Sequence, residues 1–261
     1  MTTPEPSFSV KVDVANPGQF FACCGLLELA SREPGPRSTP CGRFSRGAFQ
    51  LIGSDRNVLG LVESLAKVAP SFDDGESPDD SLATIILATL TLRLDWWRQI
   101  GHGKERWIKT ACKLWAGQQT ASVIYTTLQR TVVESVNERR LAVDRPFDLR
   151  APLKGRFGFD PGAAWNALDA GFSPNEQGCE VASSPVVELL AAIGLQRFRP
   201  IASANERDAF EYFVWSIPLP VSIAPPAAAG ILPDTNARCF RFRVASRGRY
   251  GYFTTATEIR R

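Results

Sequence analysis

Apolar and polar positions alternate near the start of the chain, where Phe8, Val10, Val12 and Val14 are separated by Ser9, Lys11 and Asp13. A period of two is the pattern of a half-buried strand. Asn16 and Pro17 follow: a side chain that caps helices, then a residue whose fixed φ suits the first helical position. Phe20, Phe21, Cys23, Cys24, Leu26, Leu27 and Leu29 come next, mostly at helical spacings. The pattern predicts a strand, a sharp turn at NPG and a buried helix. Helical periodicity returns at 55–68, with Asp55 as the expected cap, and at 119–136, where Val123, Leu128, Val132 and Val136 fall on or near one face. It is plainest at 185–196, where Ser184 caps, Pro185 takes the first position, and Val186, Leu189, Leu190 and Ile193 form the buried stripe.

Strand patterns lie between the helices. One is predicted at 49–52, and another where Leu90, Leu92 and Leu94 alternate with Thr91, Arg93 and Asp95 and lead into Trp96 and Trp97. Residues 139–150 and 152–160 read as strand and turn. The stretch 209–223 is aromatic and β-branched, but Pro218 and Pro220 place it at a sheet edge or bulge. CFRFRV and RYGYFTT predict a hairpin turning around 245–249. In it Phe240, Phe242 and Val244 share one face, and Arg241 and Arg243 share the other. The stretch 32–47 reads as a loop or the approach to a hairpin, and the acidic 72–81 as a solvated loop. Residues 101–110 read as a flexible basic connector, and PPAAAG at 225–230 as a linker. There is no internal repeat. Short helices on antiparallel strands make this an α+β chain. It divides either into lobes at 1–145 and 146–261 or not at all.

With 261 residues, 44% of them hydrophobic, the chain has ample material for a core. No run approaches the roughly 20 apolar residues of a membrane span, and MTTPEPSFSV lacks the basic start and apolar centre of a signal peptide. A cytoplasmic protein without a membrane partner is expected. The six cysteines form no CxxC pair and His102 is the single histidine. A His-rich zinc site is therefore excluded, and no metal or other cofactor is expected. Cys23 and Cys24 read as small buried thiols.

Charge changes the picture more than composition does. The formal net charge is +3, yet residues 236–261 hold seven arginines against Glu258 alone, a net +6, leaving 23 basic and 26 acidic residues elsewhere. A basic segment of this kind points to nucleic acid. Within it Arg241, Arg243, Arg247 and Arg249 line up as phosphate ligands and Tyr250 as a stacking ring; the competing reading is a sheet edge guarded by charge. A second cluster brings Arg98, Lys104, Arg106, Lys109 and Lys113 together with Trp96, Trp97, Trp107 and Trp115, followed by Gln118 and Gln119 as donors to base edges or phosphates. At least two of those four tryptophans belong in the interior.

Catalytic signatures are missing. Neither G-x-x-x-x-G-K-[ST] nor G-x-G-x-x-G occurs, the acid pairs Asp73–Asp74 and Asp79–Asp80 sit in a turn-rich loop, and His102 lies between two glycines with no evident orienting group. A non-catalytic protein is expected. The rival is metal-independent RNA cleavage by His102 with Lys104 or Tyr125.

NPGQFFACCGLLELA at 16–30 resembles the opening of the Csb-type CRISPR-associated proteins of type I-U (I-G) loci. LRLDWW at 92–97, KLWAGQQ at 113–119, GFDPGAAWNALDAGFSPN at 158–175 and PVVELLAAIGLQRFRP at 185–200 extend the resemblance. It implies a non-catalytic subunit of a Cascade RNA-guided DNA surveillance complex in antiviral defence. In such complexes the guide RNA reads sequence by pairing, while protein binds backbone and a short flanking motif. The implied partners are CRISPR guide RNA, target DNA, the repeated backbone subunit and other Cascade subunits, and a helicase–nuclease recruited to the loaded complex. Within the family the chain looks like the large-subunit-like member, though shorter than typical large subunits. The alternatives are a guide-RNA backbone or capping subunit and a repeat-RNA processing endonuclease.

Overall fold

A computed structural model of the chain describes residues 5–33, 39–73, 83–100, 107–116, 119–153, 155–163, 182–232, 236–247 and 249–260. The fold is α+β, with several antiparallel sheets and no closed barrel. Among the described residues the helices are α1 (Pro17–Ala30), α2 (Val58–Lys67), α3 (Ala121–Asn137), α4 (Pro185–Gly194) and α5 (Ala224–Ala228). Among the described residues no helix is long and apolar enough to cross a membrane.

The centre is the pair α1 and α4. Asn16 caps α1 through Gln19 N–H at 3.0 Å, and Ser184 caps α4 through Val187 N–H at 3.3 Å. Every residue of α4 is buried, as is every residue of α1 but Gln19. Helices this apolar all round need partners on every side. They meet backbone to backbone: a Cβ on Gly25 would stand 2.1 Å from the Leu190 carbonyl oxygen, and one on Gly194 the same distance from that of Phe21.

Sheets wrap this pair, with strands numbered in chain order. One has the order β1 (Phe8–Lys11), β3 (Ala48–Ile52), β2 (Cys41–Ser45), β13 (Leu219–Pro220). A second runs β11 (Ile201–Ala202), β12 (Ala209–Val214), β14 (Arg238–Arg247), β15 (Tyr250–Phe253), with β16 (Thr257–Ile259) also paired to β14. Its inner face lays Tyr212 on Phe20, centroids 4.3 Å apart, and Phe242 near Phe21. Smaller sheets join β4 (Ser71–Asp73), β5 (Thr84–Leu87) and β6 (Leu92–Leu94), then β7 (Arg98–Ile100) with β8 (Trp107–Lys109), and β9 (Ala151–Pro152) with β10 (Ala182–Ser183). One apolar cluster spans the chain, and packing crosses residue 145 repeatedly. α1 lies on α4, β2 pairs with β13, and Trp96 Nε1 donates to the Ala192 carbonyl at 2.9 Å.

Several local expectations change. Asn57, rather than Asp55, caps α2, accepting from Gly60 N–H at 2.9 Å. The inward stripe of α3 is Ile124, Tyr125, Leu128 and Val132, while Val123 is exposed. The 32–47 stretch contains β2, and Leu90 closes a 3-10 turn instead of starting a strand. PPAAAG holds the helix α5, whose prolines occupy first-turn positions that need no N–H donor. Of 139–150, the structure makes a 3-10 turn at Pro146–Asp148 and no strand.

Candidate nucleic-acid interface

The predicted hairpin is β14–β15, with Val244 opposite Phe253 and Arg247 opposite Tyr250. Its lower half is not an edge: β12 flanks β14 from Arg238 to Arg243, and β16 covers the other side over Cys239–Arg241. Phe240 and Phe242 are buried as expected. The opposite face does not carry the phosphate path read from the alternation. Glu211 sits directly across from Arg241 in the register and accepts from its Nε at 3.0 Å and its Nη2 at 2.8 Å. Glu206, in the turn between β11 and β12, receives Arg241 Nη1 and Arg243 Nη2 together. Glu211 is itself buried, so its bond to Arg241 raises the guanidinium pKa and fixes the side chain within the protein. Arg243 remains solvent-facing, tethered only at its tip.

The tryptophan cluster also turns inward. Trp96, Trp97 and Trp115 are buried and pack edge to face with centroids 5.2–6.1 Å apart. Arg98 is only 7% exposed, which removes it from any phosphate-facing surface. Lys109 at the end of β8 is exposed. Gln119 is half-buried beside Gly155, with its Nε2 3.5 Å from where a Cβ would stand. His102, Lys104, Arg106 and Gln118 lie outside the described residues, as does most of 72–81.

What the fold adds is a meeting of the two basic clusters. Gly251 N–H donates to the Leu114 carbonyl at 2.7 Å, fastening segment 109–116 along the outer edge of β15. Between this segment and the hairpin lies a groove of about 340 Å³. Leu114, Trp115, Val244 and Ala245 contribute to its lining, Leu114 and Trp115 being themselves buried; Lys109, Lys113 and Arg249 ring it; none of the described residues lining it is acidic. Lys113 Nζ is held over the Trp115 ring, 5.2 Å from its centroid, and donates to the Trp115 carbonyl at 3.0 Å. Lys109 and Arg249 have no ion pair among the described residues. Tyr250 is 46% exposed and, one residue from Gly251, faces the other side of β15. Arg247 ends β14 at the turn.

A buried polar hub holds the groove's base. Glu188 of α4 accepts from the backbone N–H groups of Gly158 at 2.9 Å and of Phe159 and Asp160 at 3.1 Å. Burial pushes its carboxyl pKa up, while Arg156 and these amides pull it back. Asp160 accepts from Asn16 Nδ2 at 3.0 Å and Ser184 N–H at 3.1 Å, and pairs with Arg150. The N-termini of both central helices thus grip one segment. That segment in turn receives Phe253 N–H on the Gly158 carbonyl at 2.9 Å and packs Phe157 edge to face with Trp115. The stretches 16–30 and 185–200 quoted for the resemblance meet at this hub with residues 158–160, the start of a third. Sequence reasoning missed it, and it missed Glu206 and Glu211 as neutralisers of the arginines. The signal was there only in part: SSPVVE is a capping pattern whose acid also reaches a distant backbone.

Compared with family models, curated proteins and solved structures, the chain matches none.

Proposed function

We propose that this chain is a non-catalytic, nucleic-acid-binding subunit of a CRISPR RNA-guided DNA surveillance complex, cytoplasmic and in the large-subunit-like position. It would contact guide RNA or target DNA through the groove between β15 and segment 109–116. One observation supports this above the others. Two basic clusters remote in sequence converge on a single groove with no acidic residue among its described lining, with Lys109 and Lys113 on one wall and Arg249 on the other. Arginine forks and lysine ammoniums together suit a phosphodiester backbone. The five stretches that carry the family resemblance supply the pathway. The other Cascade subunits, and a helicase–nuclease joining after target loading, are the partners it implies.

The test is a salt titration of the purified protein with duplex DNA. Each neutralised phosphate contributes roughly −0.9 to the log–log slope. The double variant Lys109→Ala/Arg249→Ala should make the slope shallower by about 1.8 with an unchanged melting curve; a slope equal to wild type rejects the groove. Co-expression with the neighbouring genes and a repeat array then tests membership. Co-purification of guide RNA with one copy of this chain fits the large-subunit role, and several copies fit the backbone alternative. Recovery of cleaved repeat RNA that disappears with His102→Ala would favour the endonuclease.

A further inference from the structure

Away from the groove, the sheet β1–β3–β2–β13 turns one face to solvent. Burial alternates along its strands: Val10, Phe44, Phe49 and Leu51 point to the core, and their neighbours point outward. The register sets the outward residues in cross-strand rows. Lys11, Ala48 and Ser45 form one row; Ser9, Gln50 and Arg43 form the next; Ile52, Cys41 and Pro220 form the last. None of them is acidic. We infer that this face docks an amphipathic helix of a partner protein, acidic at one end and apolar at the other. The groove shares no residue with it, so the two readings stand or fall separately.

Charge complementarity selects the acidic end. Lys11 is exposed, as is Arg46 at the tip of the β2–β3 hairpin, where its φ is +52°. Neither they nor Arg43 have an ion pair among the described residues. Gln50 Oε1 steadies Arg43 Nε at 2.8 Å and leaves both Nη groups for a carboxylate. Asp13 and Asp144, which flank Lys11 in the chain and across the sheet edge, are engaged elsewhere. Asp13 accepts from Ala15 N–H at 2.9 Å, and Asp144 pairs with Arg145. The far row selects the apolar end. Ile52, Cys41 and Pro220 are half-buried neighbours. Ile217 and Ile223, 49% and 43% exposed, lie within three residues of Pro220, hence no more than about 11 Å from it. The whole stretch 216–232 holds no charged residue. Four residues of strand separate the Lys11 row from the Ile52 row, roughly 14 Å, a span covered by a helix of about ten residues. A helix laid on a sheet face is also the usual way such a layer is closed. Nucleic acid fits less well: no outward residue is aromatic, so bases find no stacking platform, and phosphates gain nothing from the apolar row. A two-fold pairing of this face with itself would bring no carboxylate to its cations.

The experiment selects a phage-displayed library of short helical peptides on the full-length protein. Selected sequences should carry Asp or Glu in one half and Leu, Ile or Phe in the other. As free peptides they should slow alkylation of Cys41, the described thiol that is not buried, read by mass spectrometry of its own fragment. Lys11→Glu/Arg46→Glu, at two exposed positions, should weaken them about tenfold or more with an unchanged melting curve. Ile52→Ser should weaken them as well, and Lys109→Ala/Arg249→Ala should not. Recovery of no binder, binders without acidic residues, or equal binding to the charge-reversed variant overturns the inference. Peptides indifferent to Ile52→Ser, or dependent on Lys109 and Arg249, overturn it too. A DNA duplex that protects Cys41 where the peptides do not would assign the face to nucleic acid instead. Should the charge reversal lower the melting temperature, Lys11→Gln/Arg46→Gln repeats the test with a smaller change.

Discussion

At the residue scale, the hub shows how a few polar atoms hold a surface groove they do not line. Glu188 offers both carboxylate oxygens to three backbone donors. A glutamine there keeps one acceptor oxygen and turns an NH2 toward a buried N–H. Glu188→Gln should therefore cost roughly 1–3 kcal/mol, read by urea unfolding; a variant as stable as wild type would mean the amides have other partners. Gly158 is the backbone counterpart. Its φ of +95° suits only glycine, and a Cβ would lie 2.8 Å from the Gly251 carbonyl oxygen. Trp96 is 1% exposed with its N–H bonded to Ala192, so Trp96→Ala should lower stability by roughly 3–5 kcal/mol. Its effect on single-strand binding should vanish once the folded fraction is corrected for. A stacking role would reduce binding at unchanged stability.

At the scale of elements, β14 shows that alternation identifies faces but not neighbours. The buried Phe240 and Phe242 follow from period two, and so does the common face of Arg241 and Arg243. That Glu211 lies across from Arg241 follows only from the β12–β14 register, which no local pattern contains. Glu206→Gln should release Arg243 while Arg241 stays on Glu211, steepening the duplex salt slope by about 0.9; an unchanged slope would mean Arg243 faces no phosphate. The strand β16 is joined to β14 by Arg238 and Glu258, with Nε–Oε1 at 2.9 Å. The Arg238 hydrogen bond holds the Glu258 carboxyl below the usual carboxylate range. The pair's contribution is therefore present above the ordinary glutamate pKa and lost as pH falls through the lowered value. In Arg238→Gln the carboxyl resonance of Glu258 should titrate at higher pH than in wild type. Capping chemistry made α1 and α4 legible, since Asn16–Pro17 and Ser184–Pro185 announce them locally. The face of α3 was misread because its buried stripe includes Gln129, which donates to the Leu65 and Val68 carbonyls at 3.0 and 2.6 Å; a purely apolar pattern passes over such a residue and enlists Val123 instead. α5 was missed because two prolines read as breakers, although in a five-residue helix they occupy the first turn. The groove was illegible for a different reason: each wall was visible as a basic cluster, but their approach depends on the segment at Gly158 packing against Gly251 of β15.

At the scale of the molecule, the division at residue 145 can be tested directly. α1 is buried on nearly every side, and much of what buries it comes from beyond residue 145: α4, Tyr212, Phe242 and Phe253. Cut at that point, the 1–145 fragment strips Tyr212 from Phe20, and Tyr212, Phe242 and Phe253 from Phe21, and leaves β2 without β13. Helices of this kind gain their stability from packing and not from propensity. The fragment alone should show no cooperative unfolding and should aggregate, whereas co-expression of 1–145 with 146–261 should restore a soluble complex. In the intact chain, tryptophan fluorescence and far-ultraviolet circular dichroism should report one coincident urea transition. Two separated transitions, or a 1–145 fragment that unfolds cooperatively by itself, would establish independent lobes. The groove would then have to be explained as an interface between them, because its Lys109 wall and its Arg249 wall come from opposite sides of the cut.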